Sequence, residues 1–154
     1  MMSRNILDDV IRYSHFVSIN KAAEEYIEKT EYVSVDESMI KYFGPHHLKQ
    51  FIRGKPVHFG YIVWVLATST GELIHCEPYG GSKTKLFTYG LGQEPNVVYG
   101  LVKDAKLVVG TKVACDNLFT SLDLLDNMSK GIGVVGTVRQ NRLSKLSLPS
   151  KQQA

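Results

Sequence analysis

Two short segments each run an apolar, β-prone stretch straight into an aspartate. They are Tyr32-Val33-Ser34-Val35-Asp36-Glu37-Ser38-Met39 and Val113-Ala114-Cys115-Asp116-Asn117-Leu118-Phe119-Thr120-Ser121. If neighbouring strands carry Asp36 and Asp116 to one edge of a sheet, their carboxylates can share a divalent metal. That arrangement serves phosphoryl transfer on nucleic acid, where metal ions stabilise the attacking and leaving oxygens. Two carboxylates brought close repel, and a bound cation relieves the repulsion. Magnesium prefers octahedral oxygen coordination and keeps several waters, so two carboxylates without a third should hold it weakly. Spacing alone leaves a second reading open, in which Asp36 begins a turn and Asp116 caps the following helix.

The surrounding residues divide the same way. Glu37 follows Asp36 directly, points to the other strand face and is a poor co-ligand. Asn117 either orients the Asp116 carboxylate by a hydrogen bond or caps a helix. Asp123 lies on the helix after Asp116, where it substitutes for a third carboxylate or belongs to a solvated face. Lys49, Arg53 and Lys55 form a basic loop around Phe51, and Arg139 and Arg142 follow the last strand. All five suit contacts to DNA phosphates, with a solvated loop and an exposed strand end as the alternatives. His46 and His47 are adjacent, so their side chains should diverge, and no Cys or His stands at zinc spacing from them. Gly131-Ile132-Gly133-Val134-Val135-Gly136 has the form of a dinucleotide fingerprint, but it follows a helix and opens a strand. Gly81-Ser82-Lys83-Thr84 lacks the glycine spacing of a phosphate loop, so no nucleotide cofactor is expected.

The elements that must position these residues are legible in outline. Ile6, Leu7, Val10, Ile11, Ser14 and Val17 mark one helical face, and Asn20 is placed to cap a second short helix through Ala22, Ala23, Tyr26 and Ile27. Segment 31–42 switches to period two, with Val33 and Val35 opposite Tyr32, Ser34 and Asp36. Val57 to Thr68 reads as a long central strand covered on both faces, and Ser69-Thr70-Gly71-Glu72 as the hairpin turn into a strand from Leu73 to Tyr79. A crossover helix around Val97 to Val102 precedes a strand from Leu107 to Cys115. A helix from Phe119 to Met128 follows, with Thr120 and Asp123 as its capping box and Gly131 as its stop. Ile132 to Val138 is the last strand. Three strands joined by tight turns, then βαβ, indicate a mixed sheet flanked by helices.

Composition narrows the class. With 154 residues, 44% hydrophobic and 21% charged, the chain reads as one globular domain with a substantial core. No apolar run approaches the about 20 residues of a membrane helix, so no membrane partner is expected. Cys76 and Cys115 stand singly in apolar contexts, as reduced buried thiols do. The net charge of +3 hides an asymmetry: residues 1–40 carry 4 basic and 8 acidic side chains, and residues 41–112 carry 9 and 4. A basic middle is compatible with phosphate contacts and equally with an ordinary solvated surface.

Five motifs in order resemble the catalytic core of piggyBac transposases and of the cellular proteins derived from them. They are Val35-Asp36-Glu37-Ser38-Met39, Lys55-Pro56 with Phe59-Gly60-Tyr61, Tyr79-Gly80-Gly81, Cys115 to Ser121, and Gly136-Thr137-Val138-Arg139-Gln140-Asn141-Arg142. The resemblance implies an α/β, ribonuclease-H-like mixed five-stranded sheet at residues 31–145, after a helical segment at 1–30 and before a frayed tail at 146–154. It implies a magnesium-dependent aspartate triad that cuts DNA and transfers strands, with Asp36 and Asp116 as its first two members. The third lies in the family on a helix well past the Gly-Thr-Val-Arg strand, so the core is expected to be C-terminally truncated and incomplete. In such a sheet the first and fourth of these strands lie side by side. Ile62 stands where the family pattern places a lysine. DNA as partner, a homodimer and a nuclear location come with the resemblance. The alternatives are a non-catalytic transposon-derived protein that binds DNA or a protein partner, and an unrelated nuclease-like domain completed by a partner's carboxylate.

Overall fold

The structure is a computed structural model that describes residues 4–81, 84, 89–128 and 131–139, with side chains described from residue 15. The N-terminal segment is one helix, α1 (Arg4–Tyr26), rather than two. Asn20 does not cap; it sits inside α1 and docks on the strand β4 (Leu73–Pro78). Its Nδ2 donates to the Cys76 carbonyl at 2.8 Å, and the Cys76 N–H donates to its Oδ1 at 2.9 Å. One side-chain amide thus satisfies the donor and acceptor that a further strand would otherwise pair.

β1 (Tyr32–Lys41) runs through the middle of the sheet. It pairs antiparallel with β3 (Phe59–Thr68) on one side and parallel with β5 (Lys112–Cys115) on the other. β6 (Gly133–Gly136) continues the parallel half beside β5, and β4 flanks β3. The side-by-side placement of the first strand and the strand before Asp116 is therefore as expected. A sixth strand, β2 (Gln50–Phe51), joins the five expected ones. It lies within the basic loop and pairs only with Phe59 and Gly60 of β3, too short to leave a periodic signal.

The core lies on one face of this sheet. Val33 and Val35, Trp64 and Leu66, and Val113 and Cys115 pack with Val97, Val98, Leu101 and Val102 of α2 (Gln93–Asp104). Phe119 and α3 (Leu122–Met128), through Leu124 and Met128, close the same cluster. On β3, Val63 and Trp64 are neighbours with opposed side chains and both are buried, as a strand covered on both faces requires. The hairpin after β3 forms as expected, with Gly71 at φ 91° and its N–H on the Thr68 carbonyl at 3.0 Å.

β5 starts five residues later than the apolar run suggests. Val108 to Thr111 is a turn, in which the Thr111 N–H returns to the Val108 carbonyl at 3.2 Å and Gly110 takes φ 98°. Val108 and Val109 are 62% and 82% exposed, so their hydrophobicity does not serve the sheet.

Candidate functional site

The parallel register between β1 and β5 builds the site. Val35 pairs with Cys115, and the next residue on each strand is an aspartate, Asp36 and Asp116. Parallel strands lie about 4.8 Å apart, and residues in register project to the same face. Val33, Val35, Val113 and Cys115 point into the core, while Ser34, Asp36, Ala114 and Asp116 are exposed. The structure therefore carries both aspartates one residue past the last paired positions of adjacent strands, each exposed to solvent.

Asp116 is held by its backbone. A tight turn follows it, in which the Phe119 and Thr120 N–H groups both donate to the Asp116 carbonyl at 3.1 Å. The Thr120 hydroxyl donates to the same oxygen at 2.9 Å. Phe119 and Thr120 are fully buried, so the turn is anchored from below. The carboxylate itself accepts the backbone N–H of Asn117. Neither Asp116 nor Asn117 caps α3. Ser121 does so, accepting the Leu124 N–H at 3.1 Å, and the expected Thr120–Asp123 box does not form because Thr120 is engaged with Asp116. The Asn117 side-chain Oδ1 accepts from Arg139 Nε at 3.1 Å. Arg139 thus closes over the end of β5 from beyond β6, and Arg142 lies outside the described residues.

The Asp36 carboxylate accepts the backbone N–H of Glu37 at 2.8 Å, as that of Asp116 accepts the N–H of Asn117, and a side chain also approaches it. Lys55, from the loop between β2 and β3, places Nζ 3.1 Å from Glu37 Oε1, 3.1 Å from the Glu37 carbonyl and 3.6 Å from Asp36 Oδ1. Glu37 is the less exposed of the two carboxylates, and it anchors Lys55. Partial burial alone would lower the Lys55 ammonium's pKa, but the Glu37 hydrogen bond and the Asp36 and Glu37 charges outweigh it and raise the pKa above the ordinary lysine value. The sequence alone points Lys55 to phosphate contact. No spacing rule links a loop lysine to a strand carboxylate 18 residues earlier, so the ion pair had no sequence signal.

Two exposed carboxylates offer hard oxygen donors, which suits a hydrated magnesium ion held partly through its waters. Among the described residues no group of three His, Cys, Asp or Glu side chains is placed to hold a metal, so Asp123 does not complete a triad. Asp123 lies exposed on α3, where its carbonyl accepts from Asn127. Ile62 is part-buried against the core cluster, so its apolar side chain packs rather than reaching a ligand. His46 and His47 do not diverge: their rings stack with centroids 4.5 Å apart, and His46 Nδ1 is taken by the Leu48 N–H at 3.2 Å. Cys76 and Cys115 are free and buried, and burial raises the Cys76 thiol to about 11 and pushes Cys115 up as well.

The basic loop sits at the far end of β1 and β3. Lys49 lies over the Phe59 ring at 5.8 Å and Lys41 over Phe43 at 4.9 Å, and Phe51 stands 4.8 Å from Phe59. Arg53 is exposed beside them.

The architecture matches known proteins. The family model described as Transposase IS4 matches residues 13–154. The human PiggyBac transposable element-derived protein 3 is 34% identical over 151 residues, covering 94% of this chain and 26% of that protein. The human PiggyBac transposable element-derived protein 2 is 32% identical over 138 residues, covering 86% of this chain and 23% of its own length. A piggyBac transposase, solved by cryo-EM as a synaptic complex with hairpin DNA, superposes with a TM-score of 0.68 at 27% identity over 78% of this chain and 25% of that one. This chain therefore spans about a quarter of the length of these relatives. With the mixed sheet and the paired β1 and β5 in place, the match over nearly the whole chain shows that it belongs to the piggyBac-type transposase family.

Proposed function

We propose that this transposase-like domain carries two of the carboxylates of a magnesium-dependent DNA-cutting and strand-transferring centre, Asp36 and Asp116. The supporting observation is the β1–β5 register, which pairs Val35 with Cys115 and so carries the two aspartates one residue past that pair on adjacent strands, each exposed. Bound there, magnesium would neutralise charge developing on the attacking and leaving oxygens of a phosphodiester. The protein's part is positional. The Asp116 turn presents one carboxylate rigidly, and Asn117, tied to Arg139, braces the chain just beyond it. Lys49, Arg53, Lys55 and Arg139 supply positive charge for the phosphates on either side, fixing the register of DNA without reading its sequence. A further carboxylate would complete the ligand set. The piggyBac complex with hairpin DNA supports DNA as the partner class.

The test is calorimetric titration of the chain with Mg²⁺ and Mn²⁺, with Asp36→Asn and Asp116→Asn as controls. Weak binding lost in both variants supports the reading; binding that survives both substitutions sinks it.

A second reading, a non-catalytic domain that only binds nucleic acid, draws on the basic edge. Phe43, Phe51 and Phe59 are exposed there with lysine ammonium groups over two of the rings. Such surfaces suit backbone charge and base stacking together. Under this reading Asp36→Ala leaves a salt-dependent DNA affinity unchanged or improved, while Lys49→Ala weakens it.

A further inference from the structure

We propose that Lys55 is the resident cation of the Asp36 site, holding the first aspartate until a divalent ion displaces it. The inference rests on the reading of Asp36 and Asp116 as metal ligands. An ammonium has three donors, and here three oxygens surround it: Glu37 Oε1 and the Glu37 carbonyl, each at 3.1 Å, and Asp36 Oδ1 at 3.6 Å. The contacts are unequal. The Glu37 side chain is 15% exposed and the Asp36 side chain 65%. A carboxylate as enclosed as Glu37 needs a compensating charge, and Lys55 supplies it. The contact to Asp36 is long and open to water, and such pairs are weak. Lys55 is thus anchored at Glu37 and leans on Asp36.

The consequence is competitive. A divalent ion at Asp36 meets a positive charge only a few ångströms away. At about 5 Å, even with the dielectric of water, the repulsion between a single and a double charge weakens binding by roughly tenfold or more, and less as salt rises. The same lysine has a destination when displaced. Anchored through Glu37, its ammonium remains beside the site and is free to meet a phosphate oxygen. Lys55 would then keep the paired acidic residues neutralised in the absence of DNA and metal, and yield Asp36 when both arrive.

The experiment is Mn²⁺ binding to the 154-residue chain at low ionic strength, read by the electron paramagnetic resonance of free Mn²⁺ and by calorimetry. Lys55→Met and Lys55→Gln remove the charge; Lys55→Arg keeps it; Asp36→Asn reports whether the site is the one occupied. Melting curves confirm that each variant folds. The expected result is binding about tenfold tighter in both charge-removing variants, wild-type affinity in the arginine variant and loss in Asp36→Asn. Equal or weaker binding by Lys55→Met and Lys55→Gln, with binding still lost in Asp36→Asn, overturns the role of Lys55 alone. No binding in any protein, or binding indifferent to Asp36→Asn, overturns the metal reading and this inference with it.

Discussion

Asp36 and Asp116 each follow a residue of the Val35–Cys115 pair, yet different structures stand behind them. Asp116 terminates β5, and its position follows from a turn whose hydrogen bonds converge on its own carbonyl. Beneath that turn lie the fully buried Phe119 and Thr120. Asp36 sits within an unbroken strand; its carboxylate accepts the next residue's N–H, as that of Asp116 does, and in addition meets a loop lysine tied to Glu37. One aspartate is placed by the core and the other is adjusted by a surface ion pair. Disturbing the first should therefore cost fold stability, whereas disturbing the second should change local charge and leave the fold almost intact.

The largest effect is expected beneath Asp116. Phe119→Ala removes a ring that is 0% exposed and belongs to the same core cluster as β1, β5 and α2 residues, and should destabilise the chain by about 3–5 kcal/mol in urea unfolding. A loss below about 1 kcal/mol would mean that the turn does not depend on the core, and the contrast would fail. Gly136→Ala should follow. Gly136 is the β6 residue paired with Cys115, and a Cβ there would stand 2.6 Å from the Cys115 carbonyl oxygen and closer still to Thr120 Oγ1. Backbone on one side and a buried hydroxyl on the other leave little room, so about 1–3 kcal/mol is expected. An unchanged melting temperature would show that β6 does not press on the Asp116 turn.

The two aspartates also differ in how far their surroundings could be read from the chain. Around Asp36, the alternation of Val33 and Val35 with Ser34 and Asp36 is a period-two signal, and the structure follows it residue by residue. What stayed hidden was Lys55, because a loop side chain reaching back to a strand is set by tertiary structure. Around Asp116 the adjacency to β1 was legible as an expectation of the fold, but local signals misled. Leu107-Val108-Val109 has strand composition and leads into a turn instead, since hydrophobicity does not show where Gly110 reverses the chain. Thr120 has the spacing of a cap and is claimed by the Asp116 carbonyl, which leaves Ser121 to cap α3. Asn20 has the composition of a helix cap and instead pairs with the Cys76 backbone. In each case a polar side chain with several local options was decided by a partner distant in sequence or by a competing neighbour.

Thr120→Val separates the hydroxyl from the shape. Valine fills nearly the same space but cannot donate to the Asp116 carbonyl, and it also loses the 3.4 Å contact with Cys115 Sγ. The carbonyl keeps the Phe119 and Thr120 N–H groups, so it is not left unpaired and the expected cost is about 1 kcal/mol. A cost above about 3 kcal/mol would show that the hydroxyl holds the turn alone.

The smallest effect belongs to Asp36. Lys55→Met should change unfolding free energy by about 1 kcal/mol, nearly all of it at the enclosed Glu37, which loses its counter-charge, and almost none at the solvated Asp36. The sign of its pH dependence is fixed by direction. Lys55 has a folded-state pKa raised above the ordinary lysine value of 10.5, so its contribution is complete below that value and is lost as pH rises through the raised folded value. Wild type and Lys55→Met should therefore differ by a constant amount from pH 6 to about 9 and converge in more alkaline solution. A difference that grows toward neutral or acid pH would place the relevant titration on a carboxylate, and Lys55 would then be no more than a bystander to the Asp36–Glu37 pair.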